Sequence, residues 1–221
     1  MNNLVPVFKF LKQLEKNNNR TWFEENRVIY ELARAEHTAW VASLLALFSK
    51  AEPSFSTITP KDCIFRINRD IRFSKNKLPY KTNFGAYLNA RGKKSETAGY
   101  YVNLQPGRSF VAAGMWMPSS PVLANVRQEI DYNFNDFKKK IQSAALKKNF
   151  PALLSNNDRL VRPPRGYTDN NPALEYLKLK SFVISGSFTD AEVLEKNFHL
   201  RLIQSFKSAK PFVDFLNSAL D

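Results

Sequence analysis

The chain has 221 residues, of which 43% are hydrophobic, 24% charged and 13% aromatic, with 18 Phe. This is the make-up of a folded globular protein and excludes a largely disordered chain. No apolar run approaches the roughly 20 residues that a bilayer demands, and one cysteine, Cys63, excludes an intramolecular disulfide. The formal charge is +13 and is concentrated: residues 61–94 carry 10 basic and 2 acidic side chains, residues 138–165 carry 8 and 1, and residues 175–221 carry 6 of each. Two such blocks predict a local positive potential, not merely a soluble surface.

Val5 to Glu15 places Val7, Phe8, Leu11 and Leu14 at helical spacing. Asn17 to Asn19 interrupt it. Thr21-Trp22-Phe23-Glu24 matches a capping box and predicts a long helix to about Ser49. Its apolar face includes Trp22, Ile29, Tyr30, Ala33, His37, Trp40, Leu44 and Phe48. After Pro53 the period changes to two: Cys63, Phe65, Ile67, Ile71 and Phe73 predict a strand. Phe84 to Asn89, Gly99 to Leu104 and Ser109 to Trp116 predict three more, the last two joined by a Gln105–Arg108 turn. Strands in succession without helices between them predict an antiparallel sheet.

Ser120 and Pro121 open a second helical region, continued by Asn135 to Leu146 and a short helix near Ala152. Pro163 to Gly166 form a stiff turn, and Asn171-Pro172 open a short helix. Ser181 to Ser185 are a candidate fifth strand. Thr189 caps a helix to about Phe206, and Ser208 to Leu220 form a last one, with Pro211 in its first turn. The fold class expected is α+β: an antiparallel sheet of about four to five strands packed against a long N-terminal helix and a helical C-terminal half. A single domain, 1–221, is expected, helical over 1–50, mainly strands over 60–117 and mainly helical over 118–221.

No metal-ligand spacing, Walker loop, dinucleotide glycine motif or nucleophile elbow occurs, so neither metal nor cofactor is expected. His37 reads as a helix residue of core or surface rather than a base, and Cys63 as a small buried hydrophobe. The chemistry gathers in RINRDIRFSKNKLPYK, residues 66–81. On a strand, Arg66, Asn68, Asp70, Arg72 and Ser74 share one face, and Arg69 stands alone among apolar neighbours on the other. A charge so placed demands a partner, so Arg69 is expected in a structural ion pair with a carboxylate such as Glu24 or Glu25, the alternative being a bulge that re-aims it. The loop after this strand brings Ser74, Lys77, Tyr80 and Lys81 to the strand end. Guanidinium and ammonium groups so clustered suit a phosphate or carboxylate. The ligand-binding expectation is Arg66, Arg72, Ser74, Lys77, Tyr80, Lys81 and, from the stiff turn, Arg165. Asp70, Lys77 and Tyr80 are the catalytic candidates if the protein is an enzyme, which the residues leave open.

FRINRDIRFSKNKLPYKTNFGAY, with NNNRTWFEENRVIY, GYYVNL, AAGMWMP, RPPRGY and LKLKSF in order along the chain, resembles the signature of domain-of-unknown-function family 2461. The resemblance covers nearly the whole chain and implies a bacterial cytoplasmic protein. It supports the architecture and the choice of site and implies no reaction. Asn76 stands where an acidic residue is usual, which leaves the loop more basic. Three functions are expected on these grounds. The first is binding of an anionic small molecule at the arginine segment. The second is nucleic-acid binding, supported by the two basic blocks and aromatics such as Tyr80, Phe84, Tyr87, Tyr100 and Tyr101 that could stack bases. The third is a structural or partner-binding role in which the arginines serve the fold. No membrane partner is expected, and the oligomeric state stays open.

Overall fold

The computed structural model describes residues 3–153 and 159–220. Its elements in chain order are α1 (Val5–Lys16), α2 (Arg20–Glu25), α3 (Arg27–Ala51), a 3-10 turn (Pro53–Phe55), α4 (Pro60–Cys63) and β1 (Phe84–Leu88). Then come β2 (Gly99–Leu104), β3 (Ser109–Met115), α5 (Ser120–Tyr132), α6 (Phe134–Ile141) and α7 (Ala144–Asn149). The chain finishes with β4 (Ala152–Leu153), α8 (Leu174–Leu177), β5 (Phe182–Phe188), α9 (Asp190–Leu194) and α10 (Phe198–Ser218). The strands form one antiparallel sheet in the order β1-β2-β3-β5-β4, with Ala152 opposite Ser185 and Leu153 opposite Ile184. The fold is α+β, with helices at both ends of the chain. Among the described residues no helix is long and apolar enough to cross a membrane.

By contact the chain divides into two compact units. The first comprises residues 1–93, 101–111 and 187–203; the second comprises 94–100, 112–186 and 204–221. Strands β2, β3 and β5 each give residues to both.

The core of the first unit is a chain of rings. Phe10 of α1 meets Phe23, Tyr30 and Phe84 at centroid distances of 6.3, 5.5 and 6.1 Å. His37 stacks on Phe84 at 5.0 Å, and Trp40 on Phe198 at 6.1 Å. Burial of rings at these separations adds packing energy to the area removed from water. In the second unit Phe137 touches Tyr176, Phe212 and Phe215. Gly114 of β3 has φ +122, and a Cβ there would collide with the Phe182 carbonyl, so the close approach of these two backbones requires glycine.

Several boundaries differ from the sequence expectation. The long helix divides at Asn26 (φ −108, ψ 20), whose side-chain amide donates to the Trp22 carbonyl at 2.9 Å and closes α2 from its own side chain. The cap is Asn19, accepting from the Trp22 N–H at 2.9 Å, not Thr21. The strand over Cys63 to Phe73 is absent. Thr59 and Asp62 form a capping box, with Asp62 accepting from the Thr59 N–H at 3.0 Å and hydroxyl at 2.6 Å, and this winds Pro60–Cys63 into a turn of helix.

Beyond α4 the chain runs as an irregular ribbon with isolated bridges, Ile64 to Ala86 and Asn68 to Tyr80. Ile67 is buried as expected, but Phe73 is 96% exposed. Residues 152–153 are strand where a helix was expected. Ser119, one residue early, takes the N-cap position of α5 without a side-chain capping bond, its hydroxyl donating to Glu96 at 3.0 Å. Thr189 does form a capping box, but its helix stops at Glu195, which is extended (ψ 143). Helix α10 then runs through residues 206–208, so Pro211 lies inside it.

Candidate functional site

The irregular ribbon is held by three backbone bonds: the Phe65 N–H to the Gly85 carbonyl (3.2 Å), the Lys81 N–H to Ile67 (2.8 Å) and the Arg69 N–H to Pro79 (2.9 Å). Asn18 clasps its return arm, accepting from the Tyr80 N–H at 3.1 Å and donating to the Tyr80 carbonyl at 3.0 Å. The Tyr80 ring lies on Phe23 at 4.0 Å and 14°. The ribbon is thus fixed at its base, and one side of it faces α3.

Between them lies a cleft of about 690 Å³, within the range of ligand pockets. Tyr30, Arg34, His37 and Thr38 of α3 form one wall, Ile64 to Asn68 another; Lys61 of α4, Phe84 of β1 and Lys93 complete it. Four cations line it, and among the described residues lining it there is no carboxylate. Asp62, the nearest in sequence, is turned to the α4 cap, and its hydrogen bonds from Thr59 hold its pKa below the usual carboxylate range. The side chains of Arg34, Lys61 and Arg66 have no hydrogen-bond or ion-pair partner among the described residues. Lys93 is anchored: its ammonium donates to the carbonyls of Lys61 and, at 3.0 Å, Ile64. Two carbonyls leave one of its three N–H groups free for a ligand.

The inner part of the cleft is aromatic and neutral. His37 is 1% exposed, and its Nε2 is buried with no hydrogen-bond partner. Burial pushes the imidazole pKa down to about 4, so it is uncharged at neutral pH.

A smaller cleft of about 300 Å³ shares Phe65 and Arg66 with the first and adds Lys81, Asn83, Gly85 and Tyr101. The Lys81 ammonium donates to the Arg66 carbonyl at 3.0 Å and lies 5.6 Å from the Phe65 ring centre. Burial, and then the Arg66 charge, pull its pKa down. Asn83 donates to Asn103 at 2.6 Å, and Tyr101 donates to the same oxygen at 3.3 Å. A Cβ on Gly85 would come within 2.5 Å of the Tyr101 hydroxyl, so glycine keeps this wall open.

The expected residues therefore separate. Arg66 lines both clefts and Lys81 the smaller. Arg72 is held in an exposed bidentate pair with Asp70 (3.0 and 2.7 Å), and this pair lowers the Asp70 pKa. Lys77 donates to the carbonyls of Ile71 and Arg72 at 3.1 and 3.5 Å. Arg69 is half-buried and donates to the Leu78 carbonyl at 3.1 Å and the Ser74 hydroxyl at 3.3 Å. Its partners are thus the loop it spans. Of the two carboxylates expected for it, Glu24 binds Arg27 at 2.7 Å, and among the described residues Glu25 makes no ion pair with Arg69. Tyr80 is buried at the ribbon base, and Arg165 is exposed on its turn in the second unit. Burial raises the Cys63 thiol to about 12, which leaves it inert.

Sequence reasoning did not select Arg34, Lys61 and Lys93, read Tyr30 as core packing and His37 as a core or surface helix residue, and named Phe84 only among the aromatics that could stack bases. The signal was present in part: Tyr30, Arg34 and His37 recur at helical spacing, and Lys61 and Lys93 bound the most basic block of the chain. Only the fold shows that these two ends meet. Among the described residues no group of three or more His, Cys, Asp or Glu gathers to hold a metal.

Residues 6–215 match the family model described as conserved hypothetical protein (DUF2461). No curated protein and no solved structure matches the chain significantly. The chain belongs to that family.

Proposed function

We propose that this family member binds a small phosphate- or carboxylate-bearing molecule in the cleft between α3 and the 64–68 ribbon. One observation carries the reading: Arg34, Lys61, Arg66 and Lys93 line a single concavity, three of them with no hydrogen-bond or ion-pair partner among the described residues. Asp62 lies within electrostatic reach of Lys61 and Lys93, and Asp70 of Arg66, but no carboxylate lines the cleft among the described residues; an anion there lowers the remaining repulsion between the cations and supplies charge-assisted hydrogen bonds. The anion site thus moves from the 66–81 segment as a whole to Arg66 and groups outside it.

Isothermal titration with ribose 5-phosphate at low salt tests the reading. Wild type binds, and Arg66→Ala weakens binding at least tenfold, by roughly 1.5–3 kcal/mol for a lost hydrogen bond to a charged group. Arg72→Ala stays within about twofold, since Asp70 already occupies that guanidinium. Absence of binding by wild type, or equal losses in the two variants, would overturn the assignment.

A second reading, nucleic-acid binding, has a specific observation in its favour: Phe73 stands exposed on a loop with Arg72, Lys75 and Lys77, and the Arg72 guanidinium carbon is 5.9 Å from its ring centre. Exposed rings among cations are stacking platforms for bases.

A further inference from the structure

Resting on that anion-site reading, we infer that the ligand is a phosphomonoester carrying a planar heteroaromatic ring, of nucleoside monophosphate size, with the ring placed against Tyr30, His37 and Phe84. The cleft has two chemically distinct parts. Arg34, Lys61 and Arg66 are exposed cations at its rim, whereas His37 and Phe84 are buried rings of its wall. His37 and Phe84 lie nearly parallel, 29° apart at 5.0 Å, with Tyr30 6.4 Å from Phe84. A free inorganic anion uses the rim and leaves these rings idle.

The independent pointer is His37. A buried nitrogen with no partner is an uncommon feature of folded proteins, because it forfeits its hydrogen bond to water. His37 lines the cleft, and its Nε2 lacks a partner among the described residues. The polar groups that line the cleft with it are the four cations, Tyr30, Thr38 and Asn68, and none of them bonds to Nε2. An alkyl phosphate would cover the rings and leave Nε2 unpaired. A heteroaromatic ring does both: its face lies on Phe84 and its polar edge meets the imidazole edge-on, in the plane of His37, which is nearly parallel to Phe84. Because the imidazole is neutral, it adds a directional bond and no further charge. A cleft of about 690 Å³ accommodates a mononucleotide and excludes a long polymer from its interior.

The test compares AMP and UMP with ribose 5-phosphate by isothermal titration on the intact chain. The expected result is that at least one nucleotide binds tenfold or more tighter than the sugar phosphate. His37→Phe keeps the ring and its stacking but removes both nitrogens. It should shrink the margin between nucleotide and ribose 5-phosphate to within about threefold. Arg66→Ala should weaken all three ligands together. If the nucleotides and ribose 5-phosphate bind wild type equally, the ring assignment is overturned and the anion site stands. If none of the three binds, both fall. If His37→Phe leaves the nucleotide margin intact, the role given to Nε2 is overturned. The wild-type comparison decides the ring assignment even should the variant fold poorly.

Discussion

Arg66, Arg69 and Arg72 recur every three residues and do three different jobs. Arg66 lines a cleft with no side-chain hydrogen-bond or ion-pair partner among the described residues, Arg69 staples the Leu78 carbonyl and Ser74 hydroxyl across its own loop, and Arg72 grips Asp70. That Arg66 differs from Arg69 was legible in the sequence; that it lines a cleft was not. The fate of Arg72 was not, because a strand would have set it beside Asp70 on one face without binding it; Asp70 instead also accepts from the Arg72 N–H at 3.3 Å, a local turn that ends any strand. His37 was legible as a packed helix residue but not as a cleft wall, since periodicity shows that a side chain points inward and not what fills the space beside it. Its titration gives a prediction. In the unfolded chain His37 takes up a proton near the ordinary imidazole value of 6.5, and in the folded chain only near 4. Between those values the unfolded state holds more protons, so stability is complete above about pH 6.5 and falls as pH drops, by roughly 3 kcal/mol in total at pH 4 and below. His37→Phe lacks this loss. Urea midpoints at pH 7 and pH 4.5 should therefore differ less in the variant than in wild type, while the carboxylates contribute equally to both. Equal losses would mean that His37 is not held neutral by burial.

Strands with both neighbours in sequence were read well, and elements decided by caps were not. Gly99–Leu104 matches its expected range, and the turn before β3 has Gly107 at φ +72 and Arg108 donating to Gln105 at 2.9 Å, as the Pro-Gly pair implied. The failures share a cause. Asn19, Asn26 and Asp62 each bond to backbone within four residues, and such short-range side-chain bonds move helix ends without altering hydrophobic period. Thr21 formed the more recognisable box with Glu24, yet Glu24 is taken by Arg27. It follows that Asn19→Ala should lower stability by about 1 kcal/mol, whereas Thr21→Ala should change it by no more than about 0.5 kcal/mol. Thermal melts of the two variants check this, and a larger loss at Thr21 would restore the sequence reading of where the helix begins. The footing of the ribbon depends on this start, because α2 places Phe23 under the Tyr80 ring.

The charge of the molecule, +13, sits in two blocks with different fates. The block over 61–94 supplies Lys61, Arg66 and Lys93 to the cleft. In the other, over 138–165, Lys140 pairs with Asp136 and Arg159 with Glu175, the solvated pairing of an ordinary surface. A small-molecule site therefore predicts only weak affinity for a mixed single-stranded oligonucleotide, lost between about 50 and 200 mM salt and indifferent to Phe73→Ala by fluorescence anisotropy. Binding that survives about 200 mM salt and disappears in Phe73→Ala would favour the nucleic-acid reading instead. Composition made the blocks legible; which of them would fold back into a concavity was not, since that depends on contacts such as Asn18 to Tyr80, 62 residues apart. The same clasp bears on how this chain tolerates change. With Arg69 bound to Pro79, Lys81 to Ile67 and Asn18 to Tyr80, the two arms of the ribbon are tied below its tip. Residues 70–78 thus form a closed detour that can be lengthened, shortened or nicked by a protease while the cleft beneath it keeps its walls.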